Sequence, residues 1–290
     1  MNRIVANVNI PWSHVGDWPV RCIVRYFCPV PRSFAPKVRL VTVCVAVICC
    51  FGRVALCTAI VVNIQKGVVT VGSDSKVTNV DERIKEKPMC KIRQISSRQL
   101  VAISSFPVMP DYDAYEIAGS SVQTTGAVAT AKRFVAAMEA PLYRTCENVR
   151  NTRPRLAVSR RLYEERIKPK KPWISAVFIG FDGKQIEVAR EEIVLFEDSG
   201  ECRVAYTPTT CINDCTKGPA LLRLGYHTVP TEQAQQMIWN GNAVLGIKNL
   251  IRAEIKANKR EVGVPIDILV VTANVGHWVG ANKKGCKAIK

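Results

Sequence analysis

Two runs rich in β-branched apolar residues, Thr58–Ile64 and Val68–Val71, are separated only by Gln65-Lys66-Gly67. Valine and isoleucine suit an extended, pleated backbone, and a short break closed by glycine is the chemistry of a hairpin turn. The segment is therefore predicted as an antiparallel strand pair. Lys91–Ile95 with Leu100–Ile103 predicts a second short pair, and Ile174–Gly180, a turn at Asp182-Gly183, and Ile186–Ala189 predict a third. Between them, Tyr112–Asn151 is rich in Ala, Ser, Thr and Val and reads as one or two helices. Residues 152–172 carry Arg160, Arg161, Lys168, Lys170 and Lys171 and read as a solvated face leading into a loop. Thr231 is predicted to cap a helix running to about Asn258, with Met237, Val244, Ile247, Ile251 and Ile255 as its apolar stripe, and Ile266–Thr272 closes the domain as a buried strand. Strands, helices, strands, helix, strand is not the strict alternation of a doubly wound parallel sheet. It predicts an α+β fold with helices outside antiparallel sheets.

Residues 1–57 differ in character. Trp12, Trp18 and several prolines stand without strand or helix periodicity as far as residue 38, which reads as a poorly ordered leader or pro-segment. From Leu40 to Ile64 the chain is almost continuously apolar, broken by Gly52 and Arg53. Each half is shorter than the roughly 20 residues of a membrane-spanning helix, and β-branched residues favour buried strands. A secretory signal is the competing reading, because Lys37 and Arg39 precede the apolar run.

Of the net charge of +17, residues 1–57 supply +6, with seven Arg and Lys against one Asp. Such a surface attracts acidic partners, including nucleic acid or anionic lipid. No helix-turn-helix, zinc-finger or aromatic RNA-binding signature accompanies it, so nucleic acid is an unfavoured partner. Six of the twelve cysteines fall in the first 57 residues, and no spacing repeats among the rest. Cys211 and Cys215 enclose three residues, and His14, His227 and His277 lie far apart, which does not suggest a metal site. The simplest expectation is buried thiols in a reducing cytoplasm, with no metal and no cofactor.

The stretch Thr58–Thr78 resembles the opening of proteasome β subunits, and still more that of the bacterial proteasome-like peptidase. In that family of N-terminal-nucleophile (Ntn) hydrolases a mature N-terminal Thr begins a strand, a turn Gly follows, and an Asp-[Ser/Gly]-[Arg/Lys/Gln]-x-Thr signature ends the next strand. Thr58, Gly67 and Asp74-Ser75-Lys76-Val77-Thr78 fall in that register without a gap. Cys90-Lys91-Ile92-Arg93-Gln94-Ile95 matches the family's lysine and short strand with one extra loop residue, and Ser105, fourteen residues beyond Lys91, stands where the family has an oxyanion-loop glycine. Ser175–Gly183 and Val262–Ile268 are similar to its central and closing segments. The resemblance spans about residues 58–279, leaving 280–290 as a basic tail. It implies a four-layer αββα sandwich, a threonine-type peptidase or amidohydrolase acting on a peptide or amide, and homo-oligomeric rings, with any ATPase partner unspecified.

The residue types suit that chemistry. A threonine hydroxyl needs a base, and the free α-amine of the same residue, with an ordinary pKa near ~8, can serve if Thr58 is the first residue. Lysine lowers that amine's proton affinity, and a carboxylate keeps the lysine charged. Lys91 and Asp74 are the candidates for these roles, with backbone N–H groups near Ser105 for the oxyanion. Cys57 stands where family precursors carry Gly, Ser104-Ser105-Phe106 replaces the paired oxyanion glycines, and the family's later Asp and Ser are not identified around Cys211–Gly218 or Leu222–His227. Thr42 and Cys57 are alternative nucleophiles. A non-catalytic proteasome-like subunit and a basic nucleic-acid or membrane-surface binder are the alternative functions.

Overall fold

The computed structural model describes residues 59–76, 89–123, 126–181, 184–211, 220–225, 227–259, 262–279 and 286. All of them belong to the compact unit that runs from Cys49 to Lys290. The leader, Thr42, Cys57, Thr58, the Asp182-Gly183 turn, the Cys211–Gly218 segment beyond Cys211, and all of the basic tail except Cys286 lie outside the described residues.

The first hairpin forms as the sequence predicts. Strand β1 (Ala59–Gln65) pairs antiparallel with β2 (Val68–Asp74), with Ile60 opposite Ser73 and Gln65 opposite Val68. Only Lys66 and Gly67 form the loop, at φ 52° and 70°, because a two-residue turn matching the right-handed strand twist needs positive φ at both centres. Both strands are buried along both faces, which explains their continuous apolar sequence in place of an alternating one. They sit inside a five-stranded antiparallel sheet, β10-β1-β2-β11-β12, completed by β10 (Ala220–Gly225), β11 (Ile266–Val271) and β12 (Gly276–Trp278).

A second antiparallel sheet has the order β3-β4-β7-β8-β9, from β3 (Ile92–Ser96), β4 (Gln99–Ser105), β7 (Pro172–Phe181), β8 (Ile186–Asp198) and β9 (Glu201–Cys211). A two-stranded ribbon, β5 (Val108–Met109) with β6 (Tyr112–Asp113), follows β4. The sequence pattern predicts a strand only over Ile186–Ala189 and none over 201–211, so the long β8–β9 hairpin is a departure from it. Its turn is Ser199-Gly200, both at positive φ, the same device as Lys66-Gly67 but with a serine in the first place.

Helices α1 (Ala114–Ser120) and α2 (Ala127–Thr152) occupy the predicted helical region. Residues 152–172 are helical over much of their length, where a solvated face leading into a loop is expected. They hold α3 (Ala157–Leu162) and a π-helical turn over Tyr163–Ile167, with Leu162 and Ile167 buried. The charged face is solvated as expected, with Arg160, Lys168, Lys170 and Lys171 exposed, while Arg153 lies 3.9 Å over the Tyr163 ring and 3.1 Å from Glu197, and Lys170 sits over Phe196. The single helix expected from Thr231 is two, α4 (Thr231–Trp239) and α5 (Ala243–Ala257). The break falls at Asn240-Gly241-Asn242, where Asn242 caps α5 by accepting from Val244 and Leu245 N–H at 2.9 and 3.3 Å. Thr231 is the first residue of α4, and Pro230 holds the cap position.

Three apolar clusters fill the spaces between these elements. Ile60, Val62, Val69, Val71 and Leu269 of the first sheet meet Leu100, Val177 and Ile179 of the second. Val61, on the opposite face of β1, meets Ile238 of α4 and Ile247, Leu250 and Ile251 of α5. The second sheet's other face, with Ile103, Phe178 and Ile193, meets Phe134, Met138 and Leu142 of α2. Gly72 lets α5 approach: a β-carbon there would lie 2.2 Å from the Ile247 side chain. The protein is thus an α+β fold with antiparallel sheets.

Candidate active site

Asp74 ends β2 at the edge where β1 begins, opposite Ile266 of β11, and its carboxylate is fully buried. Desolvation of a carboxylate must be offset by donors. Four reach it. Oδ1 accepts from the Ala59 N–H at 2.8 Å and from Lys91 Nζ at 3.1 Å, and Oδ2 accepts from the N–H of Lys76 at 3.2 Å and of Gly263 at 3.3 Å. Lys91 lies just before β3 and is 1% exposed, so the pair is a buried ion pair and not a solvated lysine beside a turn residue. Burial pushes the Asp74 pKa up, and the Lys91 charge with the Ala59 and Gly263 N–H groups opposes that push.

The backbone around Lys91 is pinned. Its carbonyl accepts from the Ile103 N–H at 3.3 Å and from the Tyr115 hydroxyl at 3.1 Å, and Tyr115 is itself stacked under Arg93 at 3.9 Å. Burial drives the Tyr115 pKa far above the usual tyrosine value, so this hydroxyl stays a donor. Two residues past Ile103, Ser105 ends β4 with φ of 72°. That is the left-handed conformation normally reserved for glycine, adopted here by a serine that is 2% exposed. The turn beyond it is rigid: Phe106 N–H donates to the Trp173 carbonyl, the two rings sit 4.4 Å apart, and Tyr112 links them by donating to the Phe106 carbonyl and accepting from Trp173 Nε1, each at 2.9 Å.

Of the residues singled out in the sequence, Asp74 and Lys91 are in direct contact, and Ser105 lies on the strand that pairs with the one following Lys91. Thr58 precedes the first described residue, Ala59, whose amide is bound by Asp74. Several participants escaped sequence reading. The Ala59 and Gly263 amides carry no side-chain signal. Asp267 did carry one, a carboxylate inside the apolar strand Ile266–Val271; it is buried and accepts from Ser75 Oγ. Near Leu222–His227, Arg223 ties the buried Glu254 at 2.6 Å while Thr228 donates from N–H and hydroxyl to the same carboxylate. This is a structural anchor.

The cysteine expectation is corrected for four residues. Cys146 pairs with Cys202 and Cys90 with Cys286, across 56 and 196 positions, separations at which local spacing carries no sign of pairing. Asp267 also converges on the second pair, with its carboxylate and both sulfurs within 4.8 Å of one another. No helix among the described residues is long and apolar enough to cross a membrane. A scan against protein-family models finds no match to the chain, and a search of curated proteins finds none.

Proposed function

We propose that the chain is an Ntn hydrolase of the proteasome β-subunit type, a threonine peptidase or amidohydrolase whose two sheets and flanking helices form an αββα sandwich. The observation that carries the reading is the double use of Asp74, which holds the Lys91 ammonium and the Ala59 amide on one buried oxygen. That amide nitrogen is covalently bonded to the carbonyl carbon of Thr58, so one carboxylate ties the residue after the nucleophile to the catalytic lysine.

In this mechanism processing removes the residues before Thr58 and frees its α-amine. The amine takes the proton from Thr58 Oγ as the oxygen attacks the substrate carbonyl, and returns it to the leaving amine when the C–N bond breaks. The resulting ester is hydrolysed by water with the same amine as base. Lys91 lowers the amine's proton affinity, and Asp74 keeps Lys91 charged and oriented. Backbone N–H groups at the turn after β4 receive the oxyanion, and the positive φ of Ser105 supports this, since it is the backbone shape a glycine would supply. Ring assembly by identical copies belongs to the same proposal.

N-terminal sequencing and intact mass of the purified chain, with labelling by a threonine-directed β-lactone, test the reading. It expects a mature chain beginning at Thr58 that takes up one label, and an unprocessed, unlabelled chain for Thr58→Ala. A stable 32.1 kDa chain with no label would overturn it in favour of a non-catalytic subunit.

A further inference from the structure

Cys90, Asp267 and Cys286 come from three distant parts of the sequence: the segment before β3, the interior of β11, and the C-terminal tail. Their ligand atoms lie within 4.8 Å of one another, and the residues are 5%, 1% and 9% exposed. Asp267 interrupts an otherwise apolar strand, and its buried carboxylate, which accepts from Ser75 Oγ, also faces the two sulfurs. With the sulfurs joined, the cluster carries only the carboxylate's charge. With them reduced and ionised, three negative charges gather in one buried place, an arrangement that a cation stabilises and little else does.

We propose that Cys90, Cys286 and Asp267 form a redox-gated site for a thiophilic divalent cation of the zinc class, and that the disulfide is its oxidised, metal-free state. The balance is simple. A dithiol reductant delivers two electrons and two protons to the Cys90–Cys286 bond and leaves as its own cyclic disulfide. The two thiols then release two protons as their sulfurs bind the cation, with the Asp267 carboxylate as third ligand and a water completing a tetrahedron. Two thiolates favour zinc over magnesium or calcium, which prefer all-oxygen sites. Either state links Cys286 to residue 90, which is peptide-bonded to Lys91. The site therefore reports redox state beside the Asp74–Lys91 pair, and it stands whether or not Thr58 is a nucleophile.

The test uses the full chain and cobalt(II) as probe, with zinc as competitor. Digestion of the oxidised protein without reductant is expected to yield a Cys90–Cys286 linked peptide, and that form binds no cobalt. After reduction with a phosphine, one cobalt per chain is expected to bind with a thiolate-to-cobalt charge-transfer band that zinc abolishes. Cys286→Ser removes the band, and Asp267→Asn weakens binding at least ~10-fold, the loss typical of even a supporting group at a metal centre. The double variant Cys146→Ser/Cys202→Ser keeps the band, which separates this site from the other disulfide, and loss of the band in Cys286→Ser separates it from the remaining cysteines. Cys286 lies outside every described strand and helix, and a circular dichroism spectrum of Cys286→Ser matching the wild type shows that lost binding is not lost folding. A reduced chain without the band, a band that survives Cys286→Ser, or equal binding before and after reduction overturns the proposal.

Discussion

Replacing Lys91 by methionine keeps most of the side chain's length and removes one charge from a pair whose members are 1% and 0% exposed. Asp74 keeps its backbone donors but loses its countercharge. Removing one member of a buried pair costs about 3–5 kcal/mol. The cost has a ceiling, because Asp74 can escape by taking up a proton. From the ordinary value of 3.8, protonation at pH 7 spans about three pH units, or roughly 4.4 kcal/mol at ~1.36 kcal/mol per unit. At pH 5 the same ceiling is only about 1.6 kcal/mol. The sign follows: in the variant the folded carboxylate's pKa is raised above the unfolded value, so stability is full at low pH and is lost as pH rises. Lys91→Met should therefore cost about 3–4 kcal/mol near pH 7 and about half of that or less near pH 5. Adding Asp74→Asn, which keeps an acceptor for the Ala59 N–H, should restore most of the loss at pH 7. Urea unfolding of the wild type, both single variants and the double variant at the two pH values measures all of this. A Lys91→Met cost below about 1 kcal/mol at pH 7, or one independent of pH, refutes the reasoning.

Other residues give further tests. Ser105→Gly should leave stability unchanged or raise it by up to about 1 kcal/mol, because φ of 72° suits glycine, whereas β-branched Ser105→Val should cost at least about 2 kcal/mol; thermal denaturation separates the two. Gly246→Ala should destabilise by about 2–3 kcal/mol or more in urea, since the new β-carbon would meet the Met237 carbonyl oxygen at 2.4 Å and Ile238 Cα at 2.7 Å, backbone atoms that can yield only if α4 and α5 separate. Tyr112 and Tyr115, whose pKa values burial raises far above 10, resist ionisation until the chain unfolds. Their stabilising contribution is complete below pH 10 and falls above it by about 1.4 kcal/mol per tyrosine per pH unit, so phenolate absorbance should appear together with loss of tertiary circular dichroism. Phenolate signal from all seven tyrosines in a still-folded chain at alkaline pH would contradict that burial.

What was legible in the sequence was whatever short-range pattern controls. The β1–β2 hairpin could be read because β-branched runs and a Lys-Gly turn specify it within fifteen residues, whereas Asp74 and Lys91 were brought together only by the resemblance of their segments to proteasome β-type sequences, since alone each has the look of a turn residue and a solvated lysine. Local pattern failed where a polar tripeptide broke a helix at Asn240–Asn242, where Ser199-Gly200 did the work of a glycine-rich turn, and where residues 157–167 turned helical in place of a loop. Tertiary structure alone decided the distant donors on Asp74, among them the backbone amides of residues 59 and 263, and the meeting of Cys90, Asp267 and Cys286. An amide has no letter of its own in a sequence, and a contact spanning nearly two hundred positions follows from how two sheets and their flanking helices bury one another, which no window of neighbouring residues contains.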